Sequence, residues 1–485
     1  MKIIRRLNND FVLLTFGTVL GSMIKFFYSV FSKKMVSPAD YGVFSAICIL
    51  STYLNYLQLG TMNAFNRDYP QLKGAGRIEE AKKTRNVTLT YLLMVYGIVV
   101  IIAVVGMPIY AAIMRISILS IAGYIFAFLG AFLAVMNSFA TSTAKMEGKF
   151  NYAALVYIIQ TLLGVGLGLL LIHIFGYLGL YAEGSIASIT GCILLYKYWL
   201  KDYRITVDIQ MMKILLISGI PLLVNNLIWT VVGSIDKFVI LGFLDTTALG
   251  YYSIATMGFS TMVLIPQTMS NVFYIKVNQE YGRTSNKVLL IQSAQKYTFL
   301  CAMCTGVICL ITYYALPIFV KYVMPNYRNG VSAAQIIMLG VAVYASTMLY
   351  GNIFTILKES KALLINSISL CVFNIIFSTG FVLLTGKTVE NVAVGTSLSY
   401  ALYSVLLVVR LMRIGHLPLK GFFKYSWLPI ICAVLPCVVL QFTHISSDLL
   451  KMGLSLLVCS TALFYFYSKE IKNFLSKDRR INDSI

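Results

Sequence analysis

The chain has 485 residues, of which 59% are hydrophobic and only 12% are charged, and its mean hydropathy is +0.81. This composition excludes a soluble globular protein and is typical of a polytopic membrane protein. The apolar runs approach or exceed the ~20 residues that a spanning helix needs, whereas the strands of a β-barrel alternate apolar and polar positions over about ten residues. The sequence therefore predicts an all-α membrane protein.

Polar and charged interruptions divide the chain into fourteen predicted spans. In chain order they cover residues 10–32, 41–66, 87–111, 117–140, 153–173, 176–196, 214–241, 249–275, 297–320, 333–357, 362–385, 392–409, 426–443 and 452–468. The first run is too long for the core of a signal peptide and lacks an A-x-A-like cleavage site, so we expect it to remain in the mature protein. No predicted loop is long enough to hold a soluble catalytic domain, so function must lie among the helices.

The basic residues are distributed unevenly between the two sides of this topology. With the N-terminus in the cytoplasm, 30 of the 39 Lys and Arg residues lie in inside segments, and 7, among them Lys33, lie in outside segments. The positive-inside rule then places both termini in the cytoplasm and agrees with an even number of spans. The same distribution accounts for the net charge of +21, so no nucleic-acid partner is predicted.

The first predicted span carries a lysine, Lys25, in its second half. A lysine within a spanning helix costs about 2.5–3.5 kcal/mol on insertion scales, so it is usually found where it faces a polar cavity or a partner. The functional interpretation is that Lys25 lines a pathway for an anion. The alternative is that its four-carbon stem carries the ammonium to the outer interface.

The nine cysteines all fall in apolar runs, so they are interpreted as small buried residues and not as a disulfide framework. Cys301 and Cys304 form a C-x-x-C, but neither a second pair nor a histidine lies nearby. No metal site is predicted there.

An internal repeat relates the two halves of the chain. A shift of 208 residues brings four positions at the ends of span 2 onto four at the ends of span 8, namely Gly42, Ser45, Asn63 and Phe65 onto Gly250, Ser253, Asn271 and Phe273. This predicts two six-helix lobes in the same orientation, residues 1–205 and 206–412, followed by two further helices and a cytoplasmic tail at 413–485. Parallel repeats of this kind are a transporter architecture with the substrate route between the lobes.

The repeat also relates Lys25 to a second pair of charges, Asp236 and Lys237 in span 7. Measured from Gly42 and Gly250, the lysines of the two lobes lie about one helical turn apart in depth. Adjacent residues on a helix point about 100° apart, so Asp236 and Lys237 cannot both face one neighbour. The alternative for this pair is an ion pair near the outer rim.

The chain resembles the polysaccharide-biosynthesis branch of the multidrug/oligosaccharidyl-lipid/polysaccharide (MOP) exporter superfamily, and within it the O-antigen and capsule repeat-unit flippases. The resemblance rests on the first helix with Lys25, the segments 37–44 and 60–67, and the stretch from Asp236 to Ser253. It implies a MATE-like fold whose two lobes enclose a cavity that opens alternately to each side. In the related peptidoglycan-precursor flippases an acidic residue directly follows the cavity-facing basic residue of the first helix, whereas here Phe26 follows Lys25.

The substrate that the resemblance implies is an undecaprenyl-diphosphate-linked oligosaccharide, moved from the cytoplasmic to the periplasmic face of the bacterial inner membrane. Its anionic diphosphate cannot cross hydrocarbon bare, and a charge pair at 4 Å is worth about 4 kcal/mol at an effective dielectric near 20, against about 1 in water. Lys25 and Lys237, one per lobe, are therefore the candidates to hold the diphosphate.

The sugars need neutral hydrogen-bonding and stacking partners. The candidates for substrate binding besides the lysines are Gln58, Asn225, Asn226, Trp229 and Asp236. For each amide the alternative is a hydrogen bond between helices.

Glu183 is an acid about two turns into predicted span 6. It is interpreted either as a site for a coupling ion or proton, or as the partner of a basic residue such as Arg115. No cofactor is predicted, and coupling to a proton gradient, a sodium gradient or the membrane potential is left open.

Three alternatives to this function are kept. They are a multidrug exporter of the same fold, a flippase for another lipid-linked precursor of the cell envelope, and, less favoured, a membrane-integral polysaccharide polymerase. A drug exporter would favour an acidic or aromatic cavity, and a polymerase would need a large periplasmic loop. The expected partners are the lipid-linked oligosaccharide, the bilayer, and a polysaccharide polymerase with its chain-length regulator.

Overall fold

The computed structural model describes residues 2–114, 118–357, 359–441, 443 and 448–482, and within these residues the regular structure is helical, without strands. The chain forms two compact units. Unit 1 comprises Met1–Lys237 and Asp245–Gly250, and unit 2 comprises Phe238–Leu244 and Tyr251–Ile485. The lobe boundaries that the repeat predicts, at 205/206 and 412/413, stay predictions.

The helices divide between the units in chain order. Those of unit 1 are α1 (Lys2–Met35), α2 (Pro38–Leu54), α3 (Thr61–Gly74), α4 (Ile78–Met114), α5 (Ile118–Met146), α6 (Phe150–Phe175), α7 (Ala182–Leu194), α8 (Tyr196–Trp199) and α9 (Ile209–Val232). Two helices pass from one unit to the other, α10 (Ile235–Phe243) and α11 (Thr246–Thr284). Those of unit 2 are α12 (Lys287–Val323), α13 (Val331–Ser346), α14 (Met348–Ile356), α15 (Ser360–Thr385), α16 (Val389–Gly415), α17 (Leu419–Phe422), α18 (Leu428–Gln441) and α19 (Asp448–Asn482).

Ten helical segments of the described residues are long and apolar enough to cross a membrane, or up to twelve when two bent pairs each count as one span. The prediction of an all-α, multi-pass membrane protein is confirmed, whereas the count of fourteen is not. One difference lies in Phe150–Leu194, which counts once, and the other lies in α1, which is not among these segments although the sequence predicts a span at 10–32. Ideal Cβ atoms at Gly164 and Gly168 of α6 would lie 2.9 Å and 3.0 Å from the Cβ atoms of Ala187 and Glu183. Because the contact partners run in opposite order, α6 and α7 form an antiparallel hairpin.

Two predicted spans are broken helices. Predicted span 2 consists of α2 and α3, bent by 46°, and predicted span 7 consists of α9 and α10, bent by 41°. At the first break Leu59 and Gly60 have φ values of 47° and 85°, in the left-handed region where an α-helix of L-residues does not continue. The sequence predicts unbroken spans here because no proline lies at either break. In transporters, discontinuous helices form substrate and ion sites, because their free backbone groups face the cavity.

The starts of α2 and α11 cross at the two glycines that the repeat relates. An ideal Cβ at Gly42 would lie 1.7 Å from the carbonyl oxygen of Thr246, and one at Gly250 would lie 1.8 Å from that of Pro38. Pro38 and Thr246 are also 208 residues apart, so the contact is reciprocal. Two backbones can approach this closely only where a residue has no Cβ.

Gly42→Ala is therefore expected to lower the free energy of unfolding by about 2–3 kcal/mol, because a carbonyl oxygen of the backbone cannot move aside as a flexible side chain can. Thermal unfolding in detergent measures the effect. Gly97→Ala in α4 is the matched control, since no atom lies within 4 Å of the Cβ it adds. Equal unfolding transitions for the two variants would show that the crossing adjusts without strain.

All nine cysteines are free, as predicted. Cys432, Cys437 and Cys459 belong to the buried cluster that packs α18 and α19 against α12, together with Tyr313 and Tyr467. The interpretation as small buried residues is confirmed for these three and for Cys301 and Cys309. The other four are only half-buried, namely Cys48, Cys192, Cys304 and Cys371.

Candidate functional site

The site begins at Lys25 on α1. Its Nζ lies 3.8 Å from Oε1 of Glu183 in the first turn of α7, and the two side chains are 47% and 16% exposed. A separation of 3.8 Å is an ion-pair distance but too long for a hydrogen bond. The Oε1 atom of Glu183 is accordingly buried without a hydrogen-bond partner among the described residues. The ammonium is thus held loosely, with one side open.

Glycines bring α1 and α7 to the same side of α6. An ideal Cβ at Gly21 of α1 would lie 2.4 Å from Cε1 of Tyr157 on α6. An ideal Cβ at Gly168 of α6 would lie 3.0 Å from the Cβ of Glu183 and 3.3 Å from Cε2 of Tyr28. Any larger residue at Gly168 would push both neighbouring helices away, and with them the two charges.

The sequence leaves two interpretations of Glu183, a site for a coupling ion or proton and a partner of a basic residue. The structure adds a specific partner to the latter interpretation. That partner is Lys25, whereas Arg115 lies outside the described residues. The acid that is missing next to Lys25 in sequence, where Phe26 stands, is supplied in space by another helix. The coupling role of Glu183 stays a prediction, as do the substrate-binding roles of the other site residues.

The break between α2 and α3 carries Gln58, whose buried Oε1 has no hydrogen-bond partner among the described residues. Two residues earlier, the hydroxyl of Tyr56 donates to the backbone oxygen of Asn226 on α9 at 3.0 Å and also contacts Oγ1 of Thr230. The structure therefore brings the polar end of α2 against the polar segment of α9 within unit 1. A buried amide oxygen usually has a hydrogen-bond partner, so the lone Oε1 of Gln58 is an exception among the described residues.

The remaining substrate-binding candidates lie on α9 and α10 and differ in exposure. The side chain of Asn226 is exposed and that of Trp229 is half-buried, while that of Asn225 lies outside the described residues. Asp236 and Lys237 follow the break after α9 and are both half-buried.

Lys237 faces a different neighbour from Lys25. It is close enough to Cys48 of α2 to interact electrostatically with the thiol, and it forms no ion pair with a described residue. Lys25 and Lys237 therefore share no partner within the described part of the chain. Their joint hold on one diphosphate stays a prediction.

Lys33 lies within α1 and not in the outside loop that the sequence predicts, so this part of the prediction is wrong. Helix α1 continues to Met35, and Lys33 is only 2% exposed. Its Nζ donates to Oγ of Ser29 at 2.7 Å and to the hydroxyl of Tyr41 at 3.1 Å, and it lies 4.3 Å from the centroid of the Tyr41 ring. The signal that could have found it is the i, i+4, i+8 spacing of Lys25, Ser29 and Lys33 on one stripe of the helix.

A separate ion cluster joins α3 to the turn after α5. Glu147 accepts hydrogen bonds from Nζ of Lys73 at 2.6 Å and from the hydroxyl of Tyr69. Burial raises the pKa of Glu147, but these hydrogen bonds to the carboxylate outweigh burial and hold the pKa below its ordinary value of 4.5. The folded state therefore favours the ionised form.

Glu147→Gln is expected to lower the free energy of unfolding by about 1 kcal/mol near neutral pH, a charge-assisted bond discounted for partial exposure. Because the folded pKa is depressed, this contribution is present above the ordinary pKa and is lost as the pH falls through the folded value. The difference from the wild type should then disappear in acid, as thermal unfolding at several pH values would show. Glu79→Gln, on a side chain that is 87% exposed, is the control. A pH-independent difference would contradict the role of the charge.

A family model described as "Polysaccharide biosynthesis protein" matches residues 7–274 of the chain. No curated protein sequence matches it. Among solved structures, the chain is similar to the lipid II flippase MurJ in an inward closed conformation, with 16% identity, 95% of this chain and 100% of the other covered, and a TM-score of 0.73.

The chain is also similar to an inward-facing multidrug resistance MATE family transporter of the MOP superfamily, with 16% identity, 86% and 98% of the two chains covered, and a TM-score of 0.67. A MOP superfamily transporter from Pyrococcus furiosus has 18% identity, 84% and 95% coverage, and a TM-score of 0.57. These likenesses place the fold, which is MATE-like as predicted, and the predicted assignment to a transporter and not an enzyme agrees with the family and the fold. The chain therefore belongs to the polysaccharide biosynthesis protein family and has the all-helical fold of the MOP transporters.

Proposed function

We propose that the protein is a flippase. It moves undecaprenyl-diphosphate-linked oligosaccharide repeat units, of the kind used for O-antigen or capsule, from the cytoplasmic to the periplasmic face of the inner membrane by alternating access. Both termini lie in the cytoplasm, and the polymerase and chain-length regulator of the same polysaccharide act on the product. A gradient of protons or sodium, or the membrane potential, supplies the direction.

The observation that carries this proposal is the loosely held ammonium of Lys25. Lys25 lies on the 34-residue helix α1, its side chain is half-exposed, and its Nζ is 3.8 Å from Oε1 of Glu183, which is too far for a hydrogen bond. A phosphate oxygen can approach an ammonium to about 2.7–2.9 Å and form a stronger, charge-assisted bond. Exchange of Glu183 for the diphosphate therefore costs little, which suits a transient binding site.

The orphan Oε1 of Gln58 supports the same proposal from the side of the sugars. A buried polar atom without a partner costs free energy in the empty protein, and a sugar hydroxyl would remove that cost. A flat hydrophobic drug would leave it in place. This favours the oligosaccharide over a multidrug substrate.

The test uses purified protein in proteoliposomes with a defined undecaprenyl-diphosphate oligosaccharide. A glycosidase that cannot cross the membrane, added outside, digests only the oligosaccharide that reaches the outer leaflet. We expect the inner-leaflet pool to become digestible with the protein and to stay protected in protein-free vesicles. Digestion at the protein-free rate would reject the proposal.

Two further substrates decide between the alternatives in the same vesicles. Export of a cationic dye without movement of the oligosaccharide would indicate a multidrug exporter. Movement of an undecaprenyl-diphosphate-linked peptidoglycan precursor alone would indicate a flippase for a different envelope component.

A further inference from the structure

Lys33 is buried, and none of the described acidic residues forms an ion pair with it. Its side chain is 2% exposed, and among the described residues it contacts only neutral groups, the hydroxyls of Ser29 and Tyr41, the backbone oxygen of Ser29 and the Tyr41 ring. No carboxylate of the described residues forms an ion pair with it. Burying an ammonium is costly unless an anion compensates it, and neutral hydrogen bonds with a cation–π contact compensate only in part.

Lys25, Ser29 and Lys33 form one polar stripe along α1. Each step of four residues turns the side chain by about 40°, so the stripe stays on one side of the helix, and the two lysines are separated by about 12 Å along the axis. Ser29 lies between them, and its Oγ accepts a hydrogen bond from Nζ of Lys33. Lys25, at one end of the stripe, is half-exposed, and Lys33, at the other end, is buried.

Tyr41, in the first turns of α2, shields the ammonium of Lys33 from solvent. Its ring lies over Nζ of Lys33 and packs edge-to-face against Phe44, with centroids 5.6 Å apart, and Phe44 packs in the same way against Tyr181 at 4.9 Å. Tyr181 lies just ahead of Glu183 in the chain. Aromatic contacts thus extend from Tyr41, which packs on Lys33, to Tyr181 at the start of α7, the helix that carries Glu183.

The start of α2 is positioned by a close backbone contact. Gly42, next to Tyr41, lies directly against the backbone of Thr246. Tyr41 belongs to the same helix as Gly42, so a movement of the start of α2 as a rigid body would carry Tyr41 with it. Movement of the start of α2 would then uncover Lys33.

We propose that Lys33 is a second anion-binding station, which receives the diphosphate from Lys25 after the start of α2 moves and Tyr41 uncovers it. The inference rests on the proposed function and adds a residue to its path. Lys33 has no carboxylate partner among the described residues because its counterion is the passing substrate. In the predicted topology the C-terminal end of α1 is the periplasmic end, so the order from Lys25 to Lys33 is the direction of export.

The first test compares three variants in the vesicle assay, Lys25→Met, Lys33→Met and Lys34→Met. Binding is measured as the shift in unfolding temperature that the lipid-linked oligosaccharide causes, and transport as the rate of digestion. Lys33→Met should keep the shift and lose transport by about tenfold. Lys25→Met should lose both, and Lys34→Met, on an exposed neighbour, should lose neither.

Wild-type transport in Lys33→Met would overturn the station while leaving the flippase proposal intact. Failure of the wild type to move the oligosaccharide would instead reject the flippase proposal. A second measurement needs no variant at Lys33. A water-soluble amine reagent, followed by mass spectrometry, should label Lys33 of the wild type during turnover and not in protein without substrate, and inorganic diphosphate should slow that labelling. Absence of labelling during turnover would make Lys33 a permanently buried packing residue and overturn the inference.

Discussion

Lys25→Ala is expected to reduce delivery of lipid-linked repeat units by about tenfold or more, while the protein remains inserted and folded. Removing a charge from a spanning helix relieves an insertion cost, although it also leaves the Glu183 carboxylate without this partner. Lys25→Arg should keep a substantial part of the activity because the positive charge remains. Lys25→Glu should be the most damaging variant, since it places a like charge against the phosphates and beside Glu183.

Surface polysaccharide in a flippase-deficient strain, measured at matched expression, reports these effects. Lys34→Ala is the control, because Lys34 lies in the same helix and is exposed. If Lys25 only reaches an interface, all of its variants should complement the strain equally. Wild-type polysaccharide in Lys25→Ala would exclude contact between this residue and the substrate.

Because Lys25 pairs with Glu183, a double variant can separate the structural cost of losing this pair from the loss of substrate binding. Lys25→Ala alone leaves Glu183 as an unpaired, mostly buried carboxylate, so part of its defect is structural. The double variant Lys25→Met/Glu183→Gln removes both charges and that cost. If Lys25 serves only to pair Glu183, the double variant should recover transport, as a double-mutant cycle would measure. If Lys25 holds the diphosphate, thermal stability should recover and transport should not.

Glu183→Gln is expected to keep the folded protein but to weaken the dependence of transport on an imposed ion gradient. In the proposed mechanism the carboxylate releases Lys25 when the diphosphate arrives and takes it back when the substrate leaves. Gln has nearly the same shape but neither binds a proton or cation nor attracts the ammonium. Without the acid, Lys25 should retain the diphosphate longer, so substrate binding should tighten while turnover falls.

Vesicles with imposed proton or sodium gradients measure this dependence. The control is Glu79→Gln, because Glu79 is an exposed acid that forms an ion pair with Lys82. If the variant responds to both gradients as the wild type does, Glu183 is a structural partner of Lys25. Coupling would then have to lie elsewhere in the chain.

Sequence alone determined the class of protein, its helical architecture and its family. The free energy of transferring an apolar segment into lipid depends on the hydropathy summed over that segment. This sum can be calculated from the sequence without a structure. The repeat in the sequence also matches Gly42 with Gly250, the two glycines at which the reciprocal crossing occurs. Lys25 and Glu183 were each singled out for the same reason, as charges in apolar runs.

The tertiary structure alone decided how these charges are arranged. Glu183 is 158 residues from Lys25, and no local pattern could pair them, since their approach depends on Gly21 and Gly168 bringing α1 and α7 against α6. Lys33 was misassigned because a lysine at the end of an apolar run has the same composition whether it is solvated or covered, and its burial depends on where Tyr41 of the next helix packs. Hydropathy is a property of segments, whereas the environment of a single side chain is a property of the neighbours that packing brings to it.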